Sequence, residues 1–455
     1  MQAEGSLSAM EQPVYAAPLL GEQLSYVGGE FASNFAWNMV AGYLLYYYTD
    51  IAFLPVAALG TLMLVCRVFD AVVDPMVGIL VDRTHTRWGQ ARPYLLLVAI
   101  PFGLLTVLTF AVPDWTPLHK VEYGYVTFTL LGVCYSLLYI PYGALLPKLT
   151  ISPGLISRIS GWRAMATSIA SVIVYSIVMP LSKTFGPSHR HEGFVLAAVV
   201  VAAITAALYV NVFAQCKERY TTLRHSGAPS MGAELGDLIR NRVWRFVILY
   251  SLLSFVRLGV MVSVIAYFVI KAMRHPDLMS VVLPLLSVAI LTGGFFASRF
   301  IDRLGLRRIN VLFLLLSMGG YAVMPTVQGD TAVFLLVFVV ANVVGGVGAA
   351  TVFTACADAV TLKKGDATGK AGGRSEGLIF STVSFGMKVG MAIGAALTAY
   401  ALSWAGYTPA ALAPEAMAMI RRLFYLAPIA LSVLQLVVVL GLCYDRPKAA
   451  QMTAP

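Results

Sequence analysis

Residues 66–75 read CRVFDAVVDP and place three ionisable groups, Arg67, Asp70 and Asp74, at spacings of three and four. On a helix all three project from one face. The sequence on either side is apolar, from Ile51 to Met63 and from Met76 to Val81. An ionised side chain at the middle of a bilayer costs about 2.5–3.5 kcal/mol on insertion scales, so such a stripe must face protein or water. Its formal sum is −1, which leaves room for one proton or one monovalent cation. Pro75 has no N–H, so the carbonyl of Ala71 loses its usual partner and becomes a further hard oxygen. Hard oxygens suit hydronium, Na+ or Li+ better than soft metals. A buried salt bridge accounts for Arg67 and one aspartate but leaves the other unpaired. Two like carboxylates in one place favour the uptake of a proton or a cation.

The elements that must hold this stripe are membrane helices. Hydrophobic residues make up 59% and charged residues 12% of the chain, against roughly 25% charged in soluble domains. Twelve apolar runs reach about 18 or more residues, long enough to cross a hydrocarbon core. They do not alternate over about ten residues as strands of an outer-membrane barrel would. The expectation is an all-α membrane protein, with no secretory signal at its start because Glu4, Glu11 and Glu22 precede any basic residue.

The formal charge of +10 suggests a nucleic-acid partner, but the positions of the basic residues exclude one. If the N-terminus is cytoplasmic, 22 of the 32 Lys and Arg fall on the cytoplasmic side and 7 on the other. Arg67, Arg257 and Lys388 remain inside spans. This skew predicts a multi-pass protein of the cell (inner) membrane with both termini cytoplasmic. The bilayer, rather than a polyanion, is the partner. The five cysteines, Cys66, Cys134, Cys216, Cys356 and Cys443, show no CxxC pairing and read as small buried thiols.

The longest polar interruption, at 214–242, divides the chain into a six-helix bundle at 1–213 and another at 243–455. The halves echo each other, with GILVDRTHTRWGQARP after the second span and ASRFIDRLGLRRIN after the eighth. This pattern resembles the major facilitator superfamily, whose acidic–basic loops clamp the inward side shut. The resemblance implies the major facilitator fold, with twelve transmembrane helices in two six-helix bundles. It also implies a gate at Asp82, Arg83, Asp302 and Arg303, and a midplane site reached alternately from each side.

Longer stretches are similar to the glycoside–pentoside–hexuronide:cation symporters, of which melibiose permease is typical. They are YLLYYYTD at 43–50, RVFDAVVDPMVGILVDRTHTRWGQARPYLL at 67–96, IPYGALLP at 140–147 and GRSEGLIFSTVSFGMKVG at 373–390. The resemblance implies that Asp70 and Asp74 hold the coupling cation, assisted by Ser136, and would be the metal ligands if that ion is Na+ or Li+. The family's amide ligand falls on Val73, which offers no oxygen, and H+ remains the other reading of the ion. No other cofactor is implied. Arg163 and Lys388 match basic residues of the solute site. The family's sugar-reading carboxylates fall on Asn34 and Tyr139, and its stacking tryptophan falls on Gly143. A pocket reading a glycoside through Asn34, Trp37 and Tyr139 is expected, with a lysolipid-like amphiphile or other organic solute as the alternative.

Lys388 shares a helix with Gly386, Gly390 and Gly394, two positions off their stripe, so the glycines can pack while the ammonium faces a cavity. An enzyme is not expected, because all six histidines lie in loops or at span ends. A channel or receptor does not require duplicated gate loops. The sequence therefore predicts a cation-coupled secondary active symporter acting as a monomer.

Overall fold

The computed structural model describes residues 18–220, 242–364, 372–409 and 412–443. Helices account for every long element among them. They are α1 (Leu20–Tyr46), α2 (Val56–Arg83), α3 (Arg92–Thr109, irregular only at Val98), α4 (Pro117–Leu149), α5 (Pro153–Ser182), α6 (Arg190–Gln215), α7 (Arg242–Tyr267), α8 (Met279–Leu304), α9 (Leu306–Val323), α10 (Thr331–Lys364), α11 (Gly372–Trp404) and α12 (Pro414–Leu442). Ten are long and apolar enough to cross a bilayer. The other two long helices are α1, which carries Glu22, Glu30, Asn34 and Asn38, and α11. Proline opens several helices, as at Pro93, Pro117 and Pro414, where the missing N–H is not needed. Pro75 lies inside α2, which continues past it. Most of the expected linker, residues 221–241, lies outside the described residues.

The first six helices pack mainly on one another, as do the last six. Among the described residues the principal pairs that cross between the halves are α1 with α7, α2 with α11, and α5 with α8. The last two pairs are equivalent under exchange of the halves, which is the arrangement a duplicated six-helix unit produces. The fold is thus the major facilitator fold that the sequence resemblance implies, with ten of the twelve expected spans long and apolar enough to cross a bilayer among the described residues.

A second sign of duplication was not read in the sequence. The first helix of each half ends in a five-residue π-turn, Tyr47–Ile51 after α1 and Phe268–Ala272 after α7. A left-handed residue follows each, Phe53 at φ 57° and Arg274 at φ 60°. π-Turns are rare and concentrate at functional positions.

These turns mark the face at which the halves meet. One continuous apolar core joins both halves there, running from Tyr43 and Tyr47 to Tyr267, Phe268 and Phe424. A separate core at the other end, around Phe246, Tyr250 and Ile309, belongs to the last six helices alone. The halves are therefore fused at the π-turn face and part toward the basic face. That wedge shape sets where a solute can enter.

Candidate functional site

A cavity of about 550 Å³ lies between the halves at mid-depth. Its volume falls within the range of about 300–1,000 Å³ usual for small-molecule sites. One wall is polar and comes from the first half: Asn34, Trp37 and Asn38 of α1, Arg67 and Asp74 of α2, and Tyr139 of α4. The opposite wall, from α7, is mostly apolar, and Lys388 of α11 projects across to the polar side.

The two aspartates occupy different environments. Asp70 is 3% exposed; its Oδ2 accepts from Arg67 Nη1 at 3.2 Å, and its Oδ1 has no partner among the described residues. Arg67 in turn lies 3.9 Å over the Trp37 ring, a cation–π contact that orients it. Asp70 rests against α4 at Gly132, where a Cβ would overlap its Oδ1. Asp74, one turn on, opens to the cavity. Ser136 Oγ donates to its Oδ1 at 2.6 Å, and Lys388 Nζ pairs with its Oδ2.

The Lys388 pairing follows from helix packing. Gly390 and Gly394 press against the α7 backbone, where a Cβ would lie 2.8 Å from Leu252 O and 2.5 Å from Val256 O respectively. The glycines face α7 as expected, and the ammonium emerges on the other side to reach α2 in the opposite half. The pairing also corrects the charge count drawn from the stripe alone. Arg67, Asp70 and Asp74 sum to −1, but Lys388 completes the cluster and brings it to zero. Among the described residues no group of three or more His, Cys, Asp or Glu side chains comes together as a metal site.

Arg163 is placed differently from the expectation. It does not line the cavity but stands behind its wall, with Nε donating to Glu30 Oε2 at 2.7 Å. Asn34 Nδ2 donates to Glu30 Oε1 at 3.0 Å, and Tyr139 and Thr167 hydroxyls approach the same oxygen at 3.4 Å. Glu30 is 5% exposed and organises this corner, yet the sequence reading passed over it. The available signal was an acid inside the first apolar run, one helical turn before Asn34.

The gate residues stand apart. Asp82, Arg83 and Arg303 are exposed, and the Asp302 side chain lies outside the described residues. Asp82 and Arg83 make no side-chain hydrogen bond or ion pair among the described residues. The closed end is the π-turn face. There Asp50 pairs with Lys271 at 2.8 Å and accepts from Tyr407 at 2.9 Å, while Thr49 and Tyr267 hydroxyls meet at 2.7 Å. Nearby, Lys183 pairs with the exposed Asp277 and holds its carboxyl below the usual carboxylate range. Beyond Asp74–Lys388 toward the basic face, no hydrogen bond or ion pair joins the halves among the described residues.

A cavity between two related helical halves, sealed at one end, defines a membrane transporter rather than an enzyme. The chain matches the family described as "MFS/sugar transport protein" over residues 25–446 and belongs to it. It is 33% identical over 390 residues to the isoprimeverose transporter of Lactiplantibacillus pentosus, covering 85% of this chain and 80% of that one. A protein of Escherichia coli strain K12, provisionally described as a glycoside/cation symporter, is 31% identical over 416 residues, covering 90% and 89%. Among solved structures, a D-xylose–proton symporter superposes with a TM-score of 0.65 at 13% identity over 95% of this chain and 99% of that one, a likeness of fold.

Proposed function

We propose that the chain is a symporter that couples a proton to the uptake of a sugar or glycoside by alternating access. The observation that carries this reading is Asp74, which lines the cavity one helical turn from the Arg67–Asp70 pair and pairs with Lys388 of the other half. Two carboxylates and two fixed cations sum to zero, so an arriving cation must displace Lys388 from Asp74. The freed ammonium then faces the solute space, where it can donate to sugar hydroxyls. Ion entry and solute capture are thereby linked through one side chain.

The donor set favours H+ over Na+. Asp70 Oδ1, Asp74, Ser136 Oγ and the Ala71 carbonyl freed by Pro75 are the oxygens at hand, and Val73 adds none; Lys388 already holds one Asp74 oxygen, and a bare Na+ needs several oxygens whereas a proton needs one base. Asn34, Trp37 and Tyr139 line the cavity as the solute's polar and stacking contacts. Arg163 acts from behind by fixing Glu30. The relatives described as an isoprimeverose transporter and a glycoside/cation symporter support a sugar over a lysolipid-like amphiphile.

The skew of basic residues supports placement in the cell inner membrane with both termini cytoplasmic. The basic face is then the inward face and the wedge is inward-open. Residues 1–213 and 243–455 would move as two bundles about 214–242, with Asp82–Arg83 and Asp302–Arg303 meeting when the wedge closes. Each copy holds a whole cavity between its own halves, which supports a monomer as the working unit.

Uptake of radiolabelled sugars, isoprimeverose among them, into proteoliposomes tests this. Accumulation should follow an imposed pH gradient and collapse with a protonophore. Accumulation that follows a Na+ gradient instead would reassign the ion, and uptake indifferent to both would overturn coupling.

A further inference from the structure

Three of the cations inside the spans have carboxylate partners: Arg67 with Asp70, Lys388 with Asp74, and Arg163 with Glu30. Arg257 of α7 has none. It is 6% exposed and makes no hydrogen bond or ion pair among the described residues, where its Nε and Nη1 are buried without partners. The titratable groups that reach it are the phenols of Tyr250 and Tyr321, which donate to Asn310 and Asn342 respectively. As protonated phenols they bring it no charge. Water can satisfy the N–H groups, but only a negative charge offsets the cost of an isolated cation among apolar helices.

The guanidinium borders a chamber of about 80 Å³ between α7, α8 and α10, set apart from the solute cavity by Phe255 and Leu258. One water needs roughly 10–15 Å³, so the chamber has room for a monatomic ion or a small oxyanion. Gly345 of α10 keeps space beside the guanidinium: a Cβ there would lie 3.2 Å from Ile290 Cγ1 and 3.7 Å from Arg257 Nη2. No acid lines the chamber among the described residues. Ser254 is committed elsewhere, since its hydroxyl donates to Tyr250 O and accepts from Gln435 Nε2, each at 2.7 Å. Asn342 is not. Its Nδ2 donates to Phe338 O at 2.8 Å, which leaves its second N–H free among the described residues. A fixed positive charge and a spare N–H inside an apolar shell are the chemistry of an anion site, not of a cation or sugar site.

We propose that this chamber binds one small inorganic monovalent anion, chloride in type, held by the Arg257 guanidinium and the spare N–H of Asn342. The anion is a resident ligand of the last six helices, apart from the coupling cluster at Asp70 and Asp74 and apart from the solute. It neutralises Arg257 and so ties α7 to α10. Because α7 also supplies the apolar wall of the solute cavity and runs into the turn that carries Lys271, the loaded chamber steadies a helix on which both regions depend. The inference stands whether or not the solute is a sugar.

The purified full-length protein, in an uncharged detergent, is melted in sodium gluconate and in sodium chloride, bromide or nitrate at equal ionic strength. Gluconate is too bulky for the chamber and serves as the blank. The small anions should raise the melting temperature saturably, by about 2 °C or more at saturation. Radiolabelled chloride should bind at one site per chain and be displaced by bromide but not by gluconate. Arg257→Gln should lose both the shift and the bound label. Arg257→Met in gluconate should melt no lower than wild type, because it removes a buried charge that lacks a partner there. Asn342→Asp places a tethered carboxylate in the chamber, so it should melt in gluconate as wild type does in chloride and bind no label. Wild-type protein that melts alike in every salt and binds no label overturns the site. A shift or bound label that persists undiminished in Arg257→Gln places the anion elsewhere and overturns it as well. If Arg257→Gln fails to fold, Asn342→Asp decides: label retained there overturns the proposal.

Discussion

Asp50 and Lys271 hold matching places in the two halves and pair with each other at 2.8 Å. Each is the fourth residue of the five-residue π-turn that ends the first helix of its half. Duplication thus supplied both members of the latch, and divergence gave them opposite charges. The Asp50 side chain is 4% exposed and that of Lys271 23%, so the pair is only weakly screened.

Asp50→Asn should therefore loosen the closed face by about 1–3 kcal/mol, less than the full cost of orphaning a buried charge because Lys271 retains some water. Spin labels at the exposed positions Phe185 and Trp404, one in each half, should report a longer separation. The exchanged pair Asp50→Lys with Lys271→Asp should restore the wild-type distance. An unchanged separation in Asp50→Asn would show that the aromatic core, not the ion pair, keeps this face shut.

The second cross-half pair on that face behaves differently with pH. Lys183 lowers the Asp277 carboxyl pKa. The stabilisation is therefore present above the ordinary carboxylate range and is lost as pH falls through the lowered value. Because Asp277 is fully exposed, Asp277→Ala should leave the label distance at neutral pH unchanged. A clear opening in that variant would contradict the ranking of the two pairs.

Asp74→Asn should abolish ion-dependent accumulation and leave Lys388 without its carboxylate. A loss of about 1–3 kcal/mol in unfolding stability is expected, since both partners are about one-fifth to one-quarter exposed. Removing both charges in Asp74→Asn with Lys388→Met should recover much of that stability without restoring coupling. If the double variant is as unstable as the sum of the singles, the two groups do not interact as the geometry states.

Much of this site was legible before the fold was. The spacing of Arg67, Asp70 and Asp74 put them on one helix face, and the stripe of Gly390 and Gly394 turned Lys388 toward a cavity, because both arguments need only the helical period. Local periodicity could not supply the partner across the interface. Lys388 neutralises a cluster on a helix more than three hundred residues away in sequence. Arg163 was assigned to the cavity for the same reason, since only packing shows that Glu30 intercepts it. The latch was invisible because Asp50 and Lys271 look like ordinary loop charges until the two π-turns are set face to face.

Gly132 tests whether Asp70 matters in its own right. Its missing side chain lets the Asp70 carboxylate lie flat on α4. Gly132→Ala should push that carboxylate away from its place beside Arg67 and cost about 1–3 kcal/mol, as overpacking usually does. The cavity wall is untouched, so sugar binding at saturating cation should persist while half-saturation by the cation shifts upward. Normal cation dependence in a folded Gly132→Ala protein would remove Asp70 from the coupling site.

Glu30→Gln bears on the solute corner. The carboxylate accepts from Arg163, Asn34, Tyr139 and Thr167, and it is the sole acid touching Arg163 among the described residues. A neutral amide retains one acceptor oxygen but presents N–H donors to at least one of these donors. Asn34 and Tyr139 should then lose their fixed orientation toward the cavity, and Arg163 should be left charged without a counter-ion. A hydrogen bond to a charged group is worth about 1.5–3 kcal/mol, so sugar affinity should fall by about tenfold or more. The dependence on the driving ion should stay as in wild type, because Asp70 and Asp74 do not touch this corner. Glu30→Asp keeps the charge but shortens the reach, and it should recover part of the affinity. Binding measured with and without the ion gradient separates the two roles, and a Glu30→Gln protein that binds sugar normally but loses its ion dependence would move Glu30 from the solute site to the coupling site.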